Sequence, residues 1–158
     1  MTTVDAPDRP LRPRAILFAC GQNSVRSPIA AALAREMLPA SLHIGSAGVR
    51  KGELDPFAVA AMAEIGINIA EHQPMTFEEV EDWEGLDFDL IVTLAPEAHH
   101  KAIALTGRLP AAVEYWPTAD PTAIEGNREQ RLDAYRAVRD QLMARLRTRF
   151  AGQTSGNE

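Results

Sequence analysis

The fold is decided by one stretch near the start of the chain, Arg14-Ala-Ile-Leu-Phe-Ala19, which runs directly into Cys20-Gly21-Gln22-Asn23-Ser24-Val25-Arg26-Ser27-Pro28. A short, uninterrupted apolar run is typical of a strand buried on both faces of a parallel sheet. Ser27 and Pro28 predict a helix start, with serine as the N-cap and proline at the first helical position. Cys20 then lies at the carboxyl end of a strand, where ligands bind in open α/β sheets.

Strands and helices alternate along the rest of the chain. We predict further strands at 41–46, 88–94 and 112–115, and helices at 29–38, 57–65, 76–81, 96–105 and 128–150. Such alternation indicates an α/β fold, in which helices cover both faces of a parallel, twisted sheet. We therefore expect a single three-layer domain at residues 14–150, between disordered tails at 1–13 and 151–158.

The composition excludes several classes of protein. A net charge of −6 argues against a general nucleic-acid-binding protein. No stretch approaches the roughly 20 apolar residues of a membrane helix, and residues 1–14 do not resemble a signal peptide, so we expect a cytoplasmic protein. The one cysteine excludes internal disulfides and a cysteine-based zinc site. His72, His99 and His100 lack metal-ligand spacing, and we interpret them as surface or packing residues.

Cys20 is either a small buried side chain or a nucleophile, and its neighbours favour the nucleophile. The thiolate is the reactive form, and a helix N-terminus beside Arg26 stabilises that ion. Main-chain N–H groups of a strand-loop-helix turn can surround a tetrahedral anion, while a guanidinium binds two of its oxygens at once. The predicted phosphate-binding residues are Gly21, Gln22, Asn23, Ser24, Val25, Arg26 and Ser27. Asn23 is expected to be a left-handed or turn residue, and we expect neither a metal nor a cofactor.

Attack of the thiolate on a phosphate ester releases a phenolate or alkoxide, which needs a proton. Asp120 is the candidate proton donor to this leaving group. It precedes Pro121 in a loop whose prolines restrict the backbone, although an Asp-Pro pair also fits a plain turn. A bound dianion would favour the protonated carboxyl, so we expect best activity on the acid side of neutrality. Tyr115 and Trp116 could form an apolar wall for an aromatic substrate, with ordinary packing as the alternative.

These motifs resemble the low-molecular-weight protein tyrosine phosphatase family. The similarity covers residues 14–150 and rests on Ile16-Leu-Phe-Ala-Cys20 through Pro28, Ser46-Ala47-Gly48, Gly66-Ile67-Asn68, Phe88-Asp-Leu-Ile-Val92 and Asp120-Pro121. The resemblance implies a four-stranded parallel sheet flanked by helices. It implies that Cys20 is the nucleophile and Arg26 the phosphate ligand. It further implies that Ser27 is the hydrogen-bond partner of the thiolate and Asp120 the general acid and later base.

Three functions follow as alternatives. The first is hydrolysis of an aryl phosphate monoester, on a phosphorylated protein or a small molecule, through a phosphocysteine intermediate. The second is that of the family's arsenate reductase branch, which segments 92–94, 114–116 and 138–140 resemble. Thioredoxin-coupled members use two further cysteines, and Ala95 stands about where the first would fall, so reduction here would need an external thiol such as glutathione or mycothiol. The third is a module that binds phosphate or another oxyanion without turnover.

Overall fold

The structure, a computed structural model, describes residues 12–153. Its strands are β1 (Ala15–Cys20), β2 (His43–Gly48), β3 (Leu90–Thr93) and β4 (Ala112–Tyr115). Its helices are α1 (Arg26–Met37), α2 (Pro56–Ala63), α3 (Phe77–Glu84), α4 (Pro96–Leu105) and α5 (Arg128–Arg149), with a 3₁₀ turn at Pro121–Ala123. The four strands are parallel and lie in the order β2-β1-β3-β4. The predicted α/β fold with a four-stranded parallel sheet is confirmed.

The central strand β1 supplies side chains to two separate hydrophobic cores, because successive residues of a strand point to opposite faces of the sheet. Ile16 and Phe18 lie in one core, which α1, α2 and α5 cover. Leu17 and Ala19 lie in the other, which α3 and α4 cover. Helices therefore pack on both faces, and the three-layer arrangement is confirmed.

Four connecting segments lie close together at the carboxyl ends of the strands. Cys20, the last residue of β1, pairs with Gly48 at the end of β2, and Thr93 at the end of β3 pairs with Ala19. The loops that follow β1, β2 and β4, together with the N-terminus of α4, meet at this edge. Cys20 thus lies where the topology of an open α/β sheet predicts a ligand site.

The predicted start of α1 is wrong by two residues. The helix begins at Arg26 after Val25, so Ser27 lies inside the first turn and is not the N-cap. Its hydroxyl lies near Cys20 instead of capping the helix. Pro28 remains in the first turn, where its missing N–H costs no helical hydrogen bond.

Other local predictions hold with small shifts of the boundaries. The strand predicted at 41–46 runs from 43 to 48, so that Gly48 belongs to β2. The helix predicted at 76–81 begins with a capping box, in which Thr76 and Glu79 exchange hydrogen bonds of 3.0 and 3.1 Å. Gly66 ends the turn after α2 with φ of 81°.

The two predicted tails lie largely outside the described residues. Residues 1–11 and 154–158 are not described, and within 151–153 the chain forms a turn. Between residues 12 and 153, every helix is too short or too polar to cross a membrane.

Candidate active site

The loop from Cys20 to Val25 has its carbonyl groups engaged by the chain around it. Four of them accept main-chain N–H groups of the segment after β2, at 3.0–3.2 Å: Cys20 from Val49, Gly21 from Arg50, Gln22 from Gly52 and Ser24 from Asp55. The carbonyl of Asn23 accepts from Nε2 of His72 at 3.1 Å. Because the carbonyls are held by these outer donors, we expect the N–H groups to face the loop centre, an arrangement that binds oxyanions.

Cys20 Sγ lies against two donors from Ser27. The main-chain N–H of Ser27 donates to Sγ at 3.4 Å, and the hydroxyl oxygen lies 2.9 Å from Sγ. Asn23 Nδ2 donates to that same hydroxyl oxygen at 2.8 Å, which leaves the hydroxyl proton free to point at Sγ rather than at the more distant carbonyl of Ala47, 3.5 Å away. A hydroxyl that donates to sulfur stabilises the thiolate.

Asn23 holds the loop in shape. Its φ is 56°, so the prediction of a left-handed residue is confirmed, and asparagine tolerates this region better than most residues. The side chain is fully buried. Besides its bond to Ser27, its Oδ1 accepts the N–H of Met75 at 2.9 Å. Asn23 therefore joins the loop to the segment before α3.

Gly48 allows the strand β2 to pass directly behind the loop. A Cβ atom built on Gly48 would lie 2.8 Å from both the Asn23 nitrogen and the Gln22 carbonyl carbon, and closer still to the Arg50 carbonyl oxygen. Main-chain atoms cannot move aside as the end of a flexible side chain can, so only glycine fits. The sequence offered one signal for this contact, the small-residue pair Ala47-Gly48 at a strand end.

A cavity of about 110 Å³ opens above the loop. Its lining consists of Cys20, Gly21, Gln22, Ser24, Val25, Arg26, Arg50, Glu97, Asp120 and Thr122. The three predicted catalytic residues, Cys20, Arg26 and Asp120, thus share one cavity. Asn23 and Ser27 do not line it; both are buried, and their side chains are hydrogen-bonded to each other.

Arg26 and Asp120 are positioned by the same loop after β4. Nη1 of Arg26 donates to the carbonyl of Thr118 at 2.8 Å, which ties the start of α1 to that loop. Two residues further on, Asp120 caps the 3₁₀ turn: its Oδ1 accepts the N–H and the hydroxyl of Thr122 at 3.0 and 2.7 Å. Both contacts use one oxygen, so the other carboxylate oxygen can carry a proton.

Tyr115 and Trp116 do not form the predicted apolar wall. Trp116 is buried and makes an edge contact with Phe18, with ring centroids 6.2 Å apart. Tyr115 stacks on His99 at 4.8 Å. Both border a different depression, beside α5, and so the alternative of ordinary packing is correct.

Arg50 and Glu97 also line the cavity, and the sequence predicts neither as part of the site. They form an ion pair at the mouth, between the segment after β2 and the first turn of α4. The hydrogen bond and charge of Glu97 raise the pKa of Arg50, and nearby Cys20 contributes in the same direction. Neither residue lies in a recognisable motif, so only the fold brings them together. Among residues 12–153, no three histidine, cysteine or carboxylate side chains are grouped as a metal site.

His72 contributes more than the surface or packing role that its sequence suggests, because it donates to the loop. Burial, together with the charge of Arg35, lowers the pKa of His72, although the bond to the Asn23 carbonyl opposes the shift. The unfolded chain therefore binds a proton at this residue more readily than the folded protein below a pH of about 6.5. Stability that is present above that pH should be lost as the pH falls towards the lowered value.

We expect His72→Gln to weaken this pH dependence, because glutamine keeps an N–H donor but does not titrate. The measurement is the free energy of urea unfolding at about pH 7.5 and about pH 5.5. Wild type should lose more stability between the two values than the variant. His100→Gln, at an exposed position, is the control and should behave like wild type. Equal losses in His72→Gln and wild type would contradict the assignment.

Comparisons with known proteins agree with this geometry. A curated arsenate reductase from Shouchella clausii is 36% identical over 134 residues, which cover 84% of this chain and 91% of that protein. The crystal structure of arsenate reductase from Archaeoglobus fulgidus has a TM-score of 0.65 at 26% identity, covering 86% of this chain and 98% of that one. The Erwinia amylovora tyrosine phosphatase AmsI shares the fold, with a TM-score of 0.68 at 20% identity, covering 91% and 95%.

The family model described as low molecular weight phosphotyrosine protein phosphatase matches residues 15–154, nearly the whole of the chain. The match includes the loop at Cys20, the helix that begins at Arg26 and the segment that carries Asp120. The chain therefore belongs to the low molecular weight phosphotyrosine protein phosphatase family, whose cysteine-based site it contains.

Proposed function

We propose that this chain reduces arsenate to arsenite with an external low-molecular-weight thiol. The sequence alone favoured hydrolysis of a phosphate ester, with arsenate reduction as the alternative. The observation that carries the proposal is the lining of the cavity: none of its ten described residues is aromatic, and Arg50 and Glu97 at its mouth are charged. An aryl ester would place its ring against charged side chains, whereas arsenate is polar on every side. The similarity to curated arsenate reductases supports the same choice.

The first step forms a bond between sulfur and arsenic. The Cys20 thiolate attacks arsenic, and the hydroxyl group of arsenate leaves as water after Asp120 gives it a proton. Arg26 and the loop N–H groups stabilise the remaining oxygens, whose charge they match. The product of this step is arsenic(V) bound to Sγ.

The second step is the reduction. An external thiolate attacks Sγ, the sulfur–arsenic bond breaks, and its electron pair stays on arsenic, which leaves as arsenite. Cys20 is then joined to the thiol by a disulfide, and a second thiol molecule attacks that disulfide and releases Cys20. In total, arsenate and two thiols give arsenite, one disulfide and water. Both thiols are external because the chain has one cysteine, and a reducing compartment such as the cytoplasm would supply them.

Hydrolysis of a small phosphomonoester is the second candidate. It is favoured by Asp120, whose fixed carboxylate suits protonation of an alkoxide leaving group and later activation of water. The same thiolate, loop and guanidinium would serve both reactions, so the two activities must be measured side by side.

The test measures thiol-dependent arsenate reduction and p-nitrophenyl phosphate hydrolysis on one preparation. We expect arsenate turnover that requires thiol and only weak hydrolysis. Hydrolysis without arsenate reduction would replace the proposal with the phosphatase, and phosphate binding with neither activity would indicate a binding module.

Asp120→Asn should lower the rate of arsenate reduction by about 10²-fold, since the amide cannot protonate the leaving oxygen. The Michaelis constant for arsenate should change little, because Arg26 and the loop remain. Asp87→Asn, an exposed carboxylate outside the cavity lining, is the matched control and should keep full activity. An Asp120→Asn variant as active as the control would show that another group supplies the proton.

A further inference from the structure

The ion pair at the mouth of the cavity has no role in the steps above. Nη1 of Arg50 donates to Oε2 of Glu97, and the two side chains are 58% and 42% exposed. Both residues line the cavity that contains Cys20. Their charged groups are therefore open to solvent on one side and to the reaction site on the other.

The pair is not needed to hold its two elements in place. Exposed ion pairs stabilise proteins little, since water and salt screen them. The segment that carries Arg50 is already fixed to the loop by its own main-chain hydrogen bonds. A ligand with suitable charges can therefore separate Arg50 from Glu97 at little cost to the fold.

Both residues lie beside the loop residue that follows the nucleophile. A Cβ atom built on Gly21 would lie 3.1 Å from Oε1 of Glu97, and the N–H of Arg50 donates to the Gly21 carbonyl at 3.0 Å. Gly21 follows Cys20 directly. A molecule held by Arg50 and Glu97 is thus adjacent to the residue whose sulfur it must reach.

We propose that Arg50 and Glu97 bind the external thiol and select one that carries both a carboxylate and an ammonium group. The inference rests on the proposed function, in which arsenate fills the inner part of the cavity and the thiol enters through the mouth. The thiol carboxylate replaces Glu97 on the Arg50 guanidinium, and the thiol ammonium replaces Arg50 on Glu97, so no charge loses its partner. Amino-acid thiols such as L-cysteine and γ-glutamyl peptides share this chemistry.

A thiol with fewer charges fits less well. A thiol with a single charge that separates the pair leaves either Arg50 or Glu97 without a partner at the mouth. A neutral thiol that does so leaves both without a partner. Discrimination among thiols by charge is therefore the property to measure.

The experiment uses the whole chain with Cys20 capped as a methyl disulfide by methyl methanethiosulfonate. Each of four thiols then attacks the methyl-bearing sulfur and releases the Cys20 thiolate, together with a mixed disulfide of the thiol and the methyl group. L-Cysteine carries both charges, cysteamine carries only the ammonium group, and 3-mercaptopropionate carries only the carboxylate. The fourth thiol, 2-mercaptoethanol, carries neither. Intact-mass spectrometry follows the loss of the cap.

Arg50→Gln should lower the rates at which L-cysteine and 3-mercaptopropionate remove the cap by about fivefold, the effect of one exposed charge pair. The rates with the other two thiols should be unchanged. Glu97→Gln should slow L-cysteine and cysteamine in the same way. Each thiol is compared with itself across variants, so its intrinsic reactivity cancels. The exchange Arg50→Glu with Glu97→Arg should restore the rate with L-cysteine.

The matched controls are Arg108→Gln and Glu81→Gln, from an ion pair with 56% and 35% exposed side chains outside the cavity lining. They should leave all four rates unchanged. Equal changes for all four thiols, or none, in the Arg50 and Glu97 variants would overturn the inference. The assay needs no arsenate, so the thiol site and the proposed function are tested separately. If the rates depend on thiol charge as expected but arsenate is not reduced, only the proposed function is refuted. If arsenate is reduced but the rates do not depend on thiol charge, only the thiol site is refuted.

Discussion

Cys20→Ser should lower thiol-dependent arsenate reduction by at least about 10⁴-fold, as expected when a nucleophile is removed. A serine hydroxyl is not ionised at neutral pH, and its oxygen cannot be reduced and reoxidised by thiols as sulfur is. The loop N–H groups, Arg26 and Asp120 all remain in this variant. The chemistry should therefore be lost while the oxyanion site persists.

Binding of inorganic phosphate by isothermal titration calorimetry measures the second half of this prediction. The dissociation constant of Cys20→Ser should stay within about tenfold of wild type, because the loop and the guanidinium supply most of the contacts. The matched comparison is Arg26→Gln, which keeps the thiol and should lose phosphate affinity instead. Arsenate turnover that survives in Cys20→Ser would remove the nucleophile from the mechanism.

Gly48→Ala should lower the turnover number by at least about 10²-fold, since a misplacement of about 1 Å in catalytic groups has that effect. The added methyl group would meet main-chain atoms of Gln22, Asn23 and Arg50, so the loop has to shift. We expect the free energy of unfolding to fall by about 1–3 kcal/mol, the usual cost of overpacking. Urea unfolding and arsenate turnover measure the two effects.

Gly107→Ala is the control for this substitution. Among residues 12–153, the only non-neighbouring atom within reach of its Cβ is the Ala104 carbonyl oxygen, at 4.0 Å, so both stability and turnover should stay near wild type. If the two alanine variants behaved alike, the close approach of β2 to the loop would be wrong.

The sequence predicted those parts of the fold and site that depend on neighbours along the chain. The apolar run of β1, the loop after it and the left-handed Asn23 are all local, and each is found as predicted. The helix start at Ser27 and the boundaries of β2 are local exceptions. Serine is a frequent N-cap residue, so the sequence predicts Ser27 as the N-cap of α1. In the structure its hydroxyl instead contacts the side chains of Asn23 and Cys20.

Contacts between distant segments could not be predicted in this way. His72 contacts the carbonyl of Asn23 across 49 positions, and Glu97 contacts Arg50 across 47. Such pairs follow from the strand order and register, which a single sequence does not specify. Trp116 shows the opposite error: an aromatic residue near a predicted site was assigned to it, but the core beneath β1 contains its ring.

Four of the loop carbonyls accept hydrogen bonds from main-chain N–H groups at positions between 49 and 55. Any residue except proline supplies such a group, so the exposed side chain of Arg50 can change while its main-chain hydrogen bond to the loop stays the same. At position 50, the main chain thus fixes the loop, while the side chain lines the cavity. A single exchange at position 50 would alter which molecules approach Cys20, and the scaffold could acquire new substrates without rebuilding its nucleophile.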